Sequence, residues 1–203
     1  MLAIRVTRDV LIPRPESEHL VEWALERAVD VPSQRVCDVG TGSGCIALAL
    51  ATELPTARIT ATDVSEEALS VARANARELG LEERVSFLRG DLVDPLRALP
   101  PQDIMVANLP YVSRGEWERL EPEVREHDPR LALVGGDRGT EVIERLIEAA
   151  PDVLSARGAL ALEVGHAQAH EVAAHFEAGG WRDVELRRDL AGIERLVAAR
   201  RPA

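Results

Sequence analysis

A strand, a glycine-rich turn and an apolar helix follow one another directly near the start of this chain, and that succession limits its fold more than any other feature. Arg35-Val36-Cys37-Asp38-Val39 reads as a short buried strand carrying one acid. Gly40-Thr41-Gly42-Ser43-Gly44 follows, and Cys45 to Glu53 is helical and nearly all apolar. Such a helix has to be buried, here against a sheet. The alternating glycines permit a sharp turn and a close approach of backbone to a ligand. They lack the Gly-x-Gly-x-x-Gly spacing of a dinucleotide turn, because Cys45 and Ile46 break it, and no Lys-Ser/Thr pair follows to cradle a phosphate. An oxidoreductase of the dinucleotide type is thereby disfavoured. The ligand is expected to lack a pyrophosphate lying on the helix N-terminus.

The alternation continues along the chain. Residues 1–12 alternate loosely up to the stiff segment Ile12-Pro13-Arg14-Pro15, and Glu16 to Val29 has helical periodicity. Ala57 to Asp63 is a second strand ending on an acid. Ser65 is placed to cap a helix running to about Leu79, with Gly80 suited to its C′ position. Arg84 to Leu88 is a third strand, residues 94–102 form a proline-rich loop with at most one helical turn, and Asp103 to Ala107 is a fourth strand. A long polar connection over 112–138 follows, of a length that is usually functional or mobile. Thr140 to Leu154 reads as helix, Ala159 to Val164 as strand, and Ala167 to Ala178 as a helix closed by Gly179-Gly180. Trp181 to Arg187 and Ile193 to Ala199 are the last two strands. This order predicts an α/β fold: a mostly parallel seven-stranded sheet with helices on both faces and an antiparallel C-terminal hairpin at one edge. One domain over 1–203 is expected, with 1–30 as a leading segment and helix and 31–203 as the core.

A formal net charge of −11 argues against a broad phosphate-binding surface, and so against sequence-independent nucleic-acid binding. Cys37 and Cys45 lie in apolar contexts with no ligand-spaced partner, so neither a disulfide nor a metal site is expected. A signal segment and a run of transmembrane length are both missing from the sequence, and the expected setting is cytoplasmic, with no membrane partner.

In sheets of this kind ligands bind beyond the strands' carboxyl ends, near the switch in strand order. Asp38, Asp63, Asp91 and Asn108 lie at or just before four such ends, and are expected to converge on one rim. Asp63 is placed to accept both hydroxyls of a ribose. Asp91 and Leu92 are placed to receive an adenine, the acid near its exocyclic amine and the leucine against its face. Asp38 either orders the glycine turn or holds an amino group. The fourth strand ends on Asn108-Leu109-Pro110-Tyr111. The Asn108 amide both donates and accepts. Pro110 has no N–H, so its carbonyl is free to point elsewhere. Tyr111 adds a flat face and a hydroxyl. Together they can grip a planar nitrogen group. Arg14, stiffened between two prolines, is expected at the rim of the site. A glycine turn, a ribose acid, an adenine shelf and no phosphate clamp describe S-adenosylmethionine, held by Gly40, Thr41, Gly42, Ser43, Gly44, Asp63, Asp91, Leu92 and Asn108.

Val36 to Gly44 together with Asp63 resembles the Rossmann-like class I methyltransferases, and Asn108-Leu109-Pro110-Tyr111 resembles their Asn-Pro-Pro-Tyr signature for planar, conjugated nitrogens. Leu11-Ile12-Pro13-Arg14-Pro15-Glu16-Ser17-Glu18 is similar to a stretch of the peptide chain release factor glutamine methyltransferases. So are His127 to Leu133, Gly135 to Gly139 and Arg188 to Arg195, and the resemblance covers nearly the whole chain. It implies methyl transfer from S-adenosylmethionine to the side-chain amide nitrogen of the glutamine in the Gly-Gly-Gln motif of release factors. Asn108 and Pro110 would accept the two amide hydrogens, Tyr111 would pack on the amide plane, and Leu109 and Arg14 would border the substrate. Leu109 stands where the signature has its first proline and is expected to loosen the turn. Family members usually carry a small helical domain ahead of this region, which the present chain is expected to lack. The alternatives are a ribosomal-protein glutamine methyltransferase, an adenine-N6 nucleic-acid methyltransferase, disfavoured by charge, and a non-enzymatic S-adenosylmethionine-binding module.

Overall fold

The computed structural model describes residues 2–28 and 34–203. Residues 2–14 run as a strap without helix or strand, and Pro15–Ser17 form a 3-10 turn. Pro15 suits the first position of that turn because its missing N–H would be unpaired there. Helix α1 (Glu18–Ala28) therefore begins two residues after the expected Glu16, while the expected end at Val29 lies outside the described residues.

Strand β1 (Arg35–Val39) leads through the glycine turn into α2 (Cys45–Glu53). Then come β2 (Arg58–Asp63), α3 (Glu66–Glu78), β3 (Val85–Arg89) and β4 (Gln102–Ala107). Ser65 caps α3 as its spacing predicts, its hydroxyl accepting the Ala68 N–H at 3.1 Å. Residues 112–138 are not one irregular connection. They hold β5 (Val112–Ser113), α4 (Arg114–Trp117), α5 (Pro122–His127), α6 (Arg130–Leu133) and β6 (Val134–Gly136), and β5 and β6 pair in parallel as a separate small sheet. Helix α7 (Glu141–Ala149) is shorter than periodicity suggests. Pro151 cannot continue an α-helix, so a 3-10 turn over Ala150–Asp152 ends it, and β7 (Leu154–Glu163) starts well before the expected Ala159. Helix α8 (Ala169–Ala178), β8 (Arg182–Arg188) and β9 (Glu194–Arg200) complete the chain.

The main sheet has the order β3-β2-β1-β4-β7-β9-β8. Its first five strands are parallel, and β9 runs antiparallel to both β7 and β8. Side chains alternate across each central strand. Val36 and Val106 pack with Trp23 and the apolar face of α2 on one side, while Cys37, Met105 and Ala107 pack with α7 and α8 on the other. Both faces are buried, which explains why these strands read as continuous apolar runs. Among the described residues, no helix is long and apolar enough to cross a membrane. The strand order reverses direction between β1 and β4, so the carboxyl ends of those two strands flank the place where a ligand is expected.

Candidate functional site

A cavity of about 600 Å³ opens at that place. Its wall is built from the strap (Val10, Leu11, Arg14), the glycine turn, the ends of β2 and β3 (Asp63, Leu92) and the turn after β4 (Asn108, Leu109, Pro110).

The three glycines serve three different ends. Gly42 has a φ of 55° and open space on its free side, so the backbone is bare to the cavity. A Cβ on Gly40 would stand 2.8 Å from the Leu109 side chain, and one on Gly44 would stand 3.1 Å from the Ala72 Cβ of α3. Gly44 thus seats α2 against α3 and is not in the cavity wall, whereas Gly40, Thr41, Gly42 and Ser43 are. Asp63 lines the cavity and braces the turn: one oxygen accepts the Gly42 N–H and the other the Ser65 N–H, both at 2.9 Å. Each oxygen keeps a further lone pair for a ligand. Burial raises its pKa.

Asp38 does not reach the rim. It is fully buried beneath the turn, where one oxygen accepts the Thr41 hydroxyl at 2.6 Å and the Ala47 N–H at 3.2 Å. Its other oxygen has no hydrogen-bond partner, and burial pushes the carboxyl up to about 7. Of its two expected roles, the structure gives it the ordering of the turn. Asp91 lies in the wall but forms an ion pair with Arg145, and Leu92 beside it packs on the core.

The turn after β4 is tied down from several directions. The Asn108 amide donates to the Ser17 hydroxyl at 2.9 Å, and that hydroxyl donates to Glu163 at 2.7 Å. Leu109 is 4 % exposed and belongs to the core with Val39 and Met105. Apolar burial holds the Leu109 side chain at the position where the signature has a proline ring. Pro110 lines the cavity. Tyr111 does not; its ring lies over Gly165, and its carbonyl accepts the Gln168 amide at 2.9 Å. Burial raises the Tyr111 hydroxyl pKa. Arg14 is in the wall, as its proline brackets predict, and its guanidinium meets buried Asp128 at 3.0 Å.

Four further side chains build the site without a local sequence signal strong enough to single them out: Ser17, Asn75, Asp128 and Gln168. Buried Asn75 joins the strap to the glycine turn, its amide donating to the carbonyls of Arg5 and Ser43. Glu163 had a signal, since it ends an apolar strand as Asp63 does.

A bare glycine turn, a braced acid on the neighbouring strand and a polar turn closing the far wall define a methyltransferase of the class I type, and a family model described as "Methyltransferase domain" matches residues 30–114. A release factor glutamine methyltransferase of Rhodopirellula baltica is 42% identical over 97% of this chain and 68% of its own length. One of Moorella thermoacetica is 45% identical over 98% of this chain and 70% of its own length. The structure of a release factor-specific protein-(glutamine-N5) methyltransferase from Alicyclobacillus acidocaldarius superposes with a TM-score of 0.60 at 34% identity, covering 98% of this chain and 99% of that one. The chain belongs to the release factor glutamine methyltransferase family. It is a methyltransferase, and its cofactor is S-adenosylmethionine.

Proposed function

We propose that this chain methylates the side-chain amide nitrogen of the glutamine in the Gly-Gly-Gln motif of peptide chain release factors, in the cytoplasm. One observation carries the reading: Asn108 and Pro110 stand in the wall of the same cavity as Gly42 and Asp63. A grip for a planar amide thus faces the seat of a nucleoside-bearing methyl donor.

The donor set fits that cofactor. Gly40, Thr41, Gly42 and Ser43 line the seat with Gly42 offering bare backbone, Asp63 offers spare lone pairs for ribose hydroxyls, and Asp91 and Leu92 border the adenine end. When bound, S-adenosylmethionine supplies a methyl group on a positively charged sulfur. The chain's own residues then have to make a poor nucleophile react, because an amide lone pair is delocalised. The Asn108 side-chain oxygen and the Pro110 carbonyl accept the two amide hydrogens. Those bonds push electron density onto nitrogen and fix its direction of attack. Orientation of this kind is worth on the order of 7–11 kcal/mol in favourable cases. No strong base has to act first, since the new nitrogen–methyl bond would form as the methyl–sulfur bond breaks to leave a neutral thioether, and the nitrogen would release its proton to solvent as or after it gains the methyl. Leu109 holds the turn from behind, Tyr111 flanks it, and Arg14 borders the entrance.

Transfer of labelled methyl from S-adenosylmethionine to purified release factor, with ribosomal protein and DNA as rival acceptors, tests the substrate. Asn108→Ala is expected to keep cofactor affinity while transfer falls by about 100-fold, the scale of losing one oriented polar group. Unchanged transfer would refute the role given to Asn108.

A further inference from the structure

Asn108 can serve the reaction in only one of its two amide orientations. Its oxygen has to face the substrate, because the substrate amide brings hydrogens to be accepted. With the amide reversed, two NH₂ groups would confront each other. Something in the protein must therefore choose the orientation, since oxygen and NH₂ have the same shape.

We infer that Ser17 and Glu163 are positioning residues that set the polarity of Asn108, so that its side-chain oxygen is turned to the substrate amide. The inference rests on the reading of Asn108 given above. Glu163 is 3 % exposed, at the carboxyl end of β7, and in its ionised form it can only accept. Ser17 has a single hydroxyl hydrogen, which it gives to Glu163 at 2.7 Å. Its oxygen then has only lone pairs left for Asn108, and the Asn108 NH₂ group is the donor that meets it at 2.9 Å. The oxygen of Asn108 is left for the substrate. Polarity thus passes from an acceptor-only group, through a one-hydrogen group, to the amide. Burial and the nearby charge of Glu16 raise the Glu163 pKa, while the Ser17 hydroxyl, the charge of Arg195 and the Asn108 amide oppose the rise. Ser17 comes from the segment that follows Pro13-Arg14-Pro15, so that stiff stretch delivers the middle member of the relay.

Three variants test this, each assayed for methyl transfer to release factor and for S-adenosylmethionine affinity. Ser17→Ala is expected to lower kcat by about tenfold while KM and cofactor Kd stay near wild type. Ser17→Thr restores the hydroxyl and most of the rate. Glu163→Gln lowers kcat by a similar factor without loss of thermal stability, because it removes a buried charge; a merely structural glutamate would show the opposite pattern. NMR supplies a readout independent of activity: the Asn108 NH₂ protons exchange slowly in the wild type and quickly in Ser17→Ala. Wild-type kcat in both Ser17→Ala and Glu163→Gln overturns the inference, as does fast exchange in the wild type or a parallel loss of cofactor affinity. If the wild type leaves release factor unmethylated while slow exchange still depends on Ser17, the relay stands and the substrate reading falls.

Discussion

Asp38 shows how far a single residue can be pushed to order a backbone turn. Its carboxyl is fully buried, braces Thr41 and Ala47 with one oxygen, and has no partner for the other. Burial moves its pKa from 3.8 up to about 7, with the Thr41 and Ala47 hydrogen bonds opposing the rise. A carboxyl with a folded pKa above its unfolded one holds its proton more tightly in the folded chain. Its contribution is therefore present below about pH 4 and is lost as pH rises through about 7. Asp38→Asn keeps one oxygen for Thr41 and Ala47 and carries no charge. Denaturant unfolding between pH 4.5 and 8 is expected to show wild-type stability declining relative to Asp38→Asn as pH rises. Parallel profiles would mean that Asp38 is not the group responsible. Leu109 makes a related point by other means: where the signature has a proline, its side chain is locked in the core against Gly40.

At the scale of elements, the main sheet was legible and the small one was not. Strands β1, β2 and β4 are buried on both faces, and their apolar runs, like the helices that follow β1 and β2, are local properties of the chain. The pairing of β5 with β6 joins Val112 to Val134 and Ser113 to Gly136, segments too short and too polar to show a period of two. Its consequence falls on the site. A Cβ on Gly135 would collide with the carbonyl oxygens of Pro110 and Gly139, both backbone atoms that cannot swing aside. Gly135→Ala is expected to cost about 1–3 kcal/mol of stability, the usual penalty of overpacking. It should lower methyl transfer further than its stability alone explains, because the Pro110 carbonyl is displaced. Thermal unfolding and kcat measured together decide this, and an active, destabilised variant would show that the carbonyl is not used. The site divides along the same line. Asp63, Asp91 and Asn108 stand at or just beyond the ends of their strands, a local signal, and Glu163 obeys the same rule. Ser17 meets Asn108 across 91 residues, Asp128 meets Ile12 across 116 and Gln168 meets Tyr111 across 57, and only the folded chain brings these pairs together.

Taken whole, the molecule lines its cavity with the strap over residues 2–14, and several fastenings hold that strap to distant parts of the fold, three of them at Arg5, Val10 and Ile12 to Arg14. Arg5 exchanges two backbone hydrogen bonds with Asn75, Val10 is buried against Ala68 and Val71 of α3, and Asp128 accepts both the Ile12 N–H and the Arg14 guanidinium. The third fastening lies nearest the turn after β4, and it is the one that ties the strap to the segment between β5 and β6. Asp128 is itself 5 % exposed, so its removal leaves the Ile12 N–H without its acceptor and Arg14 without its anchor. The other two fastenings lie on α3 and do not depend on it. Asp128→Ala is therefore expected to free the strap near residues 11–14 while the sheet stays folded. Because Leu11, Pro13 and Arg14 form part of the cavity wall, S-adenosylmethionine affinity should fall, by about tenfold, equivalent to about 1.4 kcal/mol. Calorimetric titration gives the affinity, and hydrogen exchange at Ile12 reports whether the strap has opened. Open exchange with wild-type affinity would show that the strap covers the cavity without helping to hold the cofactor. Wild-type exchange at Ile12 would show that Val10 and Asn75 suffice to keep it shut.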